Sequence, residues 1–330
     1  MTKIMDNKKE IIQYCRELGL TTVGFTKCRV FQELESRFLQ REHSGVINEF
    51  EEQEIEKRIN PFLLMEDGKT IISIAFPYKY DLDNNTEGGF SKYTYGLDYH
   101  RVVRNYLDKI CKFIEGLGGK AIGFVDSNPL PERYIAYLSG IGFIGKNNNL
   151  ITVDYGSYVF LAEIITSLEL EEDKPLENQC GQCNLCIRAC PTKAITEKEH
   201  GGNCNLCLSY ITQKKHIEEQ WFDKLKGRIF GCDTCQRVCP YNSEALKSTI
   251  EEFAPRDYMK KAEVRDLIFL NNNDFKEKYG KHSCGWRGKN ILIRNALISY
   301  YNKHKEDKDN IEKNINSPYI KEYYDKLFKR

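Results

Sequence analysis

The sequence predicts an α+β protein in three parts: a mixed α/β domain over residues 1–170, a cysteine-rich module over 171–243 and a short helical region over 244–330. Three observations lead there. Strand-type and helix-type apolar runs alternate through the first half. Nine of the thirteen cysteines fall between Cys180 and Cys239. The remainder is charged and carries helical spacing. At 330 residues the chain has room for two or three domains with their own cores. Its 41% hydrophobic and 29% charged residues are ordinary for a globular protein. A net charge of +1 supplies no global field toward nucleic acid or membrane, so any basic patch must be local.

The elements follow in order. KKEIIQYCRELG (8–19) has helical spacing with a glycine stop, and TTVGFTKC (21–28) reads as a strand. KTIISIAFPY (69–78) is a buried strand, YHRVVRNYLDKICKFIEGLGG (99–119) an amphipathic helix, and KAIGFVD (120–126) a strand ending on Asp126. NLITVDYGSYVFLAEIITSLEL (149–170) reads as two β-rich runs around a tight DYG turn, hence a hairpin. EEDKPLENQ (171–179) is an acidic linker. In the tail, NKHKEDKDNIEKN (302–314) is a solvated turn or loose helix. The charged, amphipathic N-terminus has no signal-peptide run, and no stretch reaches the roughly 18 apolar residues of a membrane span. A cytoplasmic protein with no membrane partner is expected.

In such a compartment, cysteines at this density read as metal ligands rather than disulfides. The first motif is Cys180-x2-Cys183-x2-Cys186-x3-Cys190-Pro191, and the second is Cys232-x2-Cys235-x3-Cys239-Pro240. In two-cluster ferredoxins three cysteines of a run hold one cube and the fourth crosses to the other. That assigns Cys180, Cys183, Cys186 and Cys239 to one 4Fe–4S cluster. Cys190, Cys232 and Cys235 form three quarters of a second, completed by Cys204 or Cys207. Structural zinc prefers two CxxC pairs and fits this spacing less well. The CxxxCxxC of radical chemistry is missing. A ferredoxin-like module with two clusters is a wire, and it needs an acceptor.

The segment VDSNPLPERYIAYLSGIGFIGKNNNLIT (125–152) resembles the pattern VD-x-x-P-x-x-ER, then G-x-G-x-x-GKN-x-x-LI, of the epoxyqueuosine reductase family. EKRINP (56–61), YGLDYHRVVR (95–104), GSYVFLAEIIT (156–166), CLSYIT (207–212), GCDTCQRVCPYN (231–242) and WRGKNILIRNAL (286–297) agree with it. The resemblance implies a cobalamin-binding, reductive-dehalogenase-like domain against a ferredoxin-like module. Its activity is reduction of the epoxide of epoxyqueuosine, at the wobble position of tRNA, to queuosine. Cobalamin and two 4Fe–4S clusters are the implied cofactors, and tRNA and an external low-potential electron donor the implied partners of a monomer. CLSYIT matches the family's C-x-S-Y-[LI]-T, which makes Cys207 the eighth ligand and Cys204 an extra.

By the same resemblance Asp126 is the proton donor, a role that requires burial to raise its pKa. Its bland alternative is capping the DSNP turn. Tyr99 is implied as a pocket residue. Arg58, Lys146, Asn147, Ser209 and Thr234 are implied, together with Asp126, as cobalamin contacts. DYHRVV is not the DxHxxG of proteins that place a histidine on cobalt, so no histidine ligand is expected from His100. Some relatives carry a cysteine where this chain has Ser91. Longer relatives end in HEAT-type helical repeats, of which this chain has one helix, IRNALISYYNKH.

Between Lys276 and Arg294 there are six Lys or Arg against one Glu, with Tyr279, His282 and Trp286 interleaved. Cations contact phosphate and aromatics stack on unpaired bases. Arg287, Lys289 and Arg294 are therefore expected to touch tRNA, although composition alone favours a solvated helical tail with a buried Trp286. Two other functions remain open: a different corrinoid and iron–sulfur reductase acting on a small molecule, and a ferredoxin-like electron carrier.

Overall fold

β-branched and aromatic residues concentrate in four runs, and these build one antiparallel sheet. The computed structural model describes residues 2–81, 89–197, 202–303 and 308–329. In chain order the first domain carries α1 (Thr2–Glu17), β1 (Val23–Lys27), α2 (Glu35–His43), α3 (Ile55–Ile59), β2 (Thr70–Pro77), α4 (Tyr99–Gly116), β3 (Ala121–Phe124), α5 (Glu132–Leu138), β4 (Phe143–Ile144), β5 (Leu150–Ile151) and β6 (Val159–Thr166). The sheet order is β1-β2-β6-β3, every pair antiparallel.

Strand β2 is buried at all eight positions because helices cover both faces. Ile72, Ile74 and Phe76 point to α1 and α4, where they meet Ile11, Val103, Leu107 and Ile110. Ile71, one residue out of phase, faces the second layer with Phe31, Phe38, Ile59 and Ile135. Gly123 in β3 has no side chain for a reason: a Cβ there would stand 2.9 Å from Leu107 of α4. That close approach brings the end of β3, and the turn after it, beside the first residues of α4.

The predicted helices and strands are present, and the α+β class stands. The hairpin is corrected. Thr152 bridges to Gly156 across the DYG turn, but β5 pairs with β4 while β6 joins β2 and β3. Phe160, Ala162 and Ile164 are needed in the central core, so β6 is drawn away from its sequence neighbour.

The cysteine module begins with α6 (Leu185–Ala189). Its second half shares one apolar core with the tail: Leu208, Ile211, Phe222 and Phe230 pack with Leu292, Leu297, Tyr323 and Phe328, and also with Phe90 and Tyr95 from the first domain. The helix Lys289–Lys303 is buried from Ile291 to Ile293 and from Ala296 to Tyr300, so it is a core helix rather than a solvated one. In the polar run 302–314 a short helix, Lys308–Lys313, is present; 304–307 lie outside the described residues. Among the described residues no helix is long and apolar enough to cross a membrane.

Candidate active site and cluster cradles

The chemistry of the first domain converges on the turn after β3. Asp126 sits at φ +50°, a left-handed conformation that costs a non-glycine residue on the order of 1 kcal/mol. Its backbone N–H donates to Glu132 Oε1 at 2.7 Å, and Asn128 Nδ2 donates to the same oxygen at 2.8 Å. Asp126 Oδ2 accepts from the Tyr99 hydroxyl at 2.6 Å and lies 2.9 Å from His100 Nε2. The other ring nitrogen, Nδ1, is 2.8 Å from Asp98 Oδ1, and Asp98 also caps α4 by accepting from His100 N. Tyr99 is clamped by stacking on Phe160, with ring centroids 4.2 Å apart. The Asp126 side chain remains 54% exposed, as a group that must reach a substrate requires.

The electrostatics correct one expectation. Partial burial does raise the Asp126 carboxyl, but hydrogen bonds from His100 and Tyr99 outweigh it and hold the carboxyl below the usual aspartate range. Burial likewise pushes His100 down, while the two carboxylates on its ring overcome that and bring it to about 9. At neutral pH the transferable proton therefore rests on His100, with Asp126 ionised beside it. Both ring nitrogens are engaged, Nδ1 by Asp98 and Nε2 by Asp126.

The cysteines gather into two quartets. Burial raises Cys186, and the charges of Cys180, Cys239 and Cys183 add to it. These four line a cavity of about 550 Å³ together with Lys146, Asn147, Gln179 and Tyr241. Burial and the charges of Cys207 and Cys232 raise Cys235, and Cys207 feels Cys232 and Cys190 in turn. Cys186 also bears on Cys235, so the two quartets adjoin. Cys204 belongs to neither: its Sγ lies 3.2 Å from Glu51 Oε1, 3.3 Å from Val46 O and 3.4 Å from both Arg41 Nη2 and Asn48 Nδ2. Cys239 opens the helix Pro240–Ser243, whereas Cys190 closes α6.

Other expected contacts are already engaged. Lys146 Nζ donates to Gly181 O at 2.8 Å and Cys183 O at 3.0 Å, pinning the first cysteine loop. Thr234 Oγ1 accepts from Arg228 at 2.8 Å and lies 3.3 Å from Cys232 Sγ, so it serves the second quartet. The Ser209 carbonyl accepts from Thr212 and Gln213. Among these expected contacts, Arg58 Nη1 and Asn147 Nδ2 are buried donors with no partner.

On the expected tRNA face, Arg294 is corrected. It is 0% exposed, and its guanidinium donates to the carbonyls of Thr212, Lys214 and Lys215 because it braces a loop inside the core. His282 and Tyr279 are buried as well. Trp286, conversely, is 54% exposed and meets Phe50 edge-on at 5.2 Å. The Arg287 guanidinium lies 5.3 Å over Phe50 and 4.9 Å over Trp286. Lys289 is half-buried and reaches Asn272 Oδ1 at 2.7 Å.

Sequence reasoning missed His100 as a proton store, the carboxyls Glu132 and Glu163, and Phe50. Glu163 had a signal, a lone carboxylate inside an apolar strand. Phe50 had none.

Residues 179–242, which hold both cysteine motifs, match the family model of a 4Fe–4S double cluster binding domain, and residues 58–127 match that of epoxyqueuosine reductase QueG, DUF1730. The epoxyqueuosine reductase of Bacillus cereus is 39% identical over 304 residues, 88% of this chain and 79% of that one. Its Bacillus subtilis counterpart is 38% identical over the same length, 88% of this chain and 78% of the relative. The structure superposes on epoxyqueuosine reductase solved with an epoxyqueuosine-modified tRNA-Tyr stem loop at a TM-score of 0.89 and 34% identity, covering 97% of this chain and 89% of that one. A Bacillus subtilis structure with its catalytic aspartate loop swung out of the active site gives a TM-score of 0.83 at 31% identity, with 98% of each chain covered. Relatives this similar over this much of the chain, with the cysteine quartets already assembled, place the protein in the epoxyqueuosine reductase family.

Proposed function

We propose that this chain reduces the epoxide of epoxyqueuosine, at the wobble position of a tRNA, to the alkene of queuosine. Electrons would come from an external low-potential donor and pass through the two clusters to cobalamin, in a monomer working in the cytoplasm. The observation that carries this reading is a proton-loaded His100–Asp126 pair in a chain that also gathers eight thiols into two adjoining quartets. The relative solved with a modified tRNA stem loop supports the substrate.

The residues fit both kinds of cofactor. Four thiols around a cavity suit a cube, and backbone N–H groups of Thr192, Ile195 and Ala194 overcome the burial of Cys190 to favour its thiolate. The orphaned donors Arg58 Nη1 and Asn147 Nδ2 suit a cofactor rich in amide and phosphate oxygens, and an unpaired buried donor is costly to keep otherwise. Arg58 is held for that task by Phe38, 3.8 Å below its guanidinium, and by Glu51. Cobalamin, when bound, supplies a strongly reducing nucleophilic metal centre for opening the epoxide.

Conversion of an epoxide to an alkene and water takes two electrons and two protons. The chain's part is the protons. Asp126 Oδ2, fixed by Tyr99, receives a proton from His100 Nε2 and presents it to the departing epoxide oxygen. Asp98 stabilises the imidazolium and fixes the ring. At the surface, Phe50 and Trp286 offer stacking faces for unpaired bases, with Arg287 and Lys289 for phosphates.

The test is an anaerobic assay with reduced, cobalamin-loaded protein and epoxyqueuosine-containing tRNA, read by nucleoside mass spectrometry. Asp126→Asn is expected to lose turnover by about a hundredfold or more with cluster absorbance unchanged. Full activity in that variant places the donor elsewhere. Joint Arg287→Glu and Lys289→Glu should weaken tRNA binding about tenfold at low salt and reduce its salt slope, whereas unchanged binding removes this surface from the tRNA footprint.

A further inference from the structure

Strand β6 carries a single carboxyl among its apolar residues and the closing Thr166. Glu163 is 0% exposed, in register with Ser73 of β2 on one side and Phe124 of β3 on the other. Ser73 Oγ donates to its Oε1 at 3.3 Å. Its Oε2 has no ordinary donor. Beside it lies a second carboxyl, that of Glu132, close enough for its charge to bear on Glu163. Two buried carboxylates cannot face each other without a proton between them.

Glu132 already has its Oε1 committed, accepting from Asp126 N at 2.7 Å and Asn128 Nδ2 at 2.8 Å. The shared proton therefore belongs to Glu163, which has no other strong partner. Burial and the charge of Glu132 push Glu163 well above the usual carboxyl range, against the pull of Ser73. Burial and the charge of Asp126 push Glu132 up to about 7. The groups facing the pair are Asp126 from the turn, Arg133 from α5 and Ser73 from β2.

We propose that Glu163 is a positioning residue: as a neutral acid it donates from Oε2 to Glu132, and Glu132, oriented by that bond, holds the Asp126 turn in its left-handed form. The chain of contacts runs from the sheet interior to the reacting surface without a break: Ser73, Glu163, Glu132, Asp126, His100. A left-handed aspartate is not self-supporting, and the N–H that its conformation turns inward is the one Glu132 accepts. This rests on the proton-donor role of Asp126, so the experiment separates the two.

Infrared spectra of the cluster-loaded wild-type protein at pH 7.5 should contain a protonated carboxyl C=O band that shifts in heavy water. Glu163→Gln and Glu163→Ala should both lose it, and Asp126→Asn should keep it. In single-turnover assays on an epoxyqueuosine stem loop, Glu163→Ala should lower the rate constant about tenfold with the half-saturating RNA concentration within about twofold, because Asp126 is displaced rather than removed. Glu163→Gln, whose amide N–H₂ can still donate to Glu132, should restore at least half of the wild-type rate, and as an isostere it keeps the test alive if the alanine variant does not fold. No protonated carboxyl band in the wild type, or a glutamine variant as slow as the alanine one, overturns the proposal. If Asp126→Asn keeps full turnover while the band behaves as expected, it is the reading of Asp126 that fails and not the carboxyl pair.

Discussion

The ground above Glu132 and the ground beneath it treat a carboxyl in opposite ways. Above, Asp126 is half exposed and is held below the usual range because His100 and Tyr99 donate to it. Beneath, Glu163 is sealed in the sheet, has one weak donor, and is pushed well above that range by burial and by Glu132. Both groups contribute to one short turn, and neither state follows from residue type. Donor count and desolvation decide it: two good donors outweigh partial burial, and one long bond does not outweigh complete burial. The pair of environments resembles the general pattern by which one fold keeps an acid and a base side by side at neutral pH.

Removing the donor is the strongest way to break this contrast. His100→Gln takes the proton store from above and leaves the sheet intact. We expect turnover at pH 7 to fall roughly a hundredfold, within the range that general acid catalysis supplies. Wild-type turnover should decline as pH rises through about 9, where His100 loses its proton, and the glutamine variant should lack that limb. A wild-type rate that stays level through pH 9 would mean that His100 does not supply the proton.

A smaller effect sharpens the lower half. A group whose pKa is raised on folding stabilises the fold at low pH, and that contribution is lost as pH climbs through the folded value. Glu132 and Glu163 are both raised, so their contribution falls from the ordinary carboxyl range upward through about 7. His100, also raised, adds a further loss between about 6.5 and about 9. The wild-type melting temperature should therefore drop between pH 6 and pH 9. In Glu163→Gln the drop should be smaller by about 3 °C, the shift expected for roughly 1 kcal/mol in a chain of this size. Parallel curves for the two proteins would place the proton elsewhere.

How far the molecule was legible in its sequence depended on the range of the causes. The x2 and x3 gaps of the cysteine motifs are local constraints on a loop around a cube, and Cys180, Cys183, Cys186 and Cys239 line one cavity. The eight buried residues of β2 were equally plain, since a continuous apolar run permits little else. The failures were all long-range. Arg294 reads as a cation on a basic stretch, and only the fold shows that residues 212–215, about eighty positions earlier, supply its carbonyl partners. The sign of the Asp126 shift depends on His100, 26 residues away, and nothing in DSNP announces it. The hairpin failed because a distant strand, β2, outbid the adjacent β5 for β6. Cys204 and Cys207 are indistinguishable by spacing, and a segment more than 150 residues earlier sets Cys204 apart.

The continuous core that joins Phe90, Leu208 and Phe230 to Tyr323 and Phe328 has a mechanical consequence. The helix Lys289–Lys303 and the loop that carries Cys232 rest on that one core, so a load applied to one is carried to the other with no hinge between them.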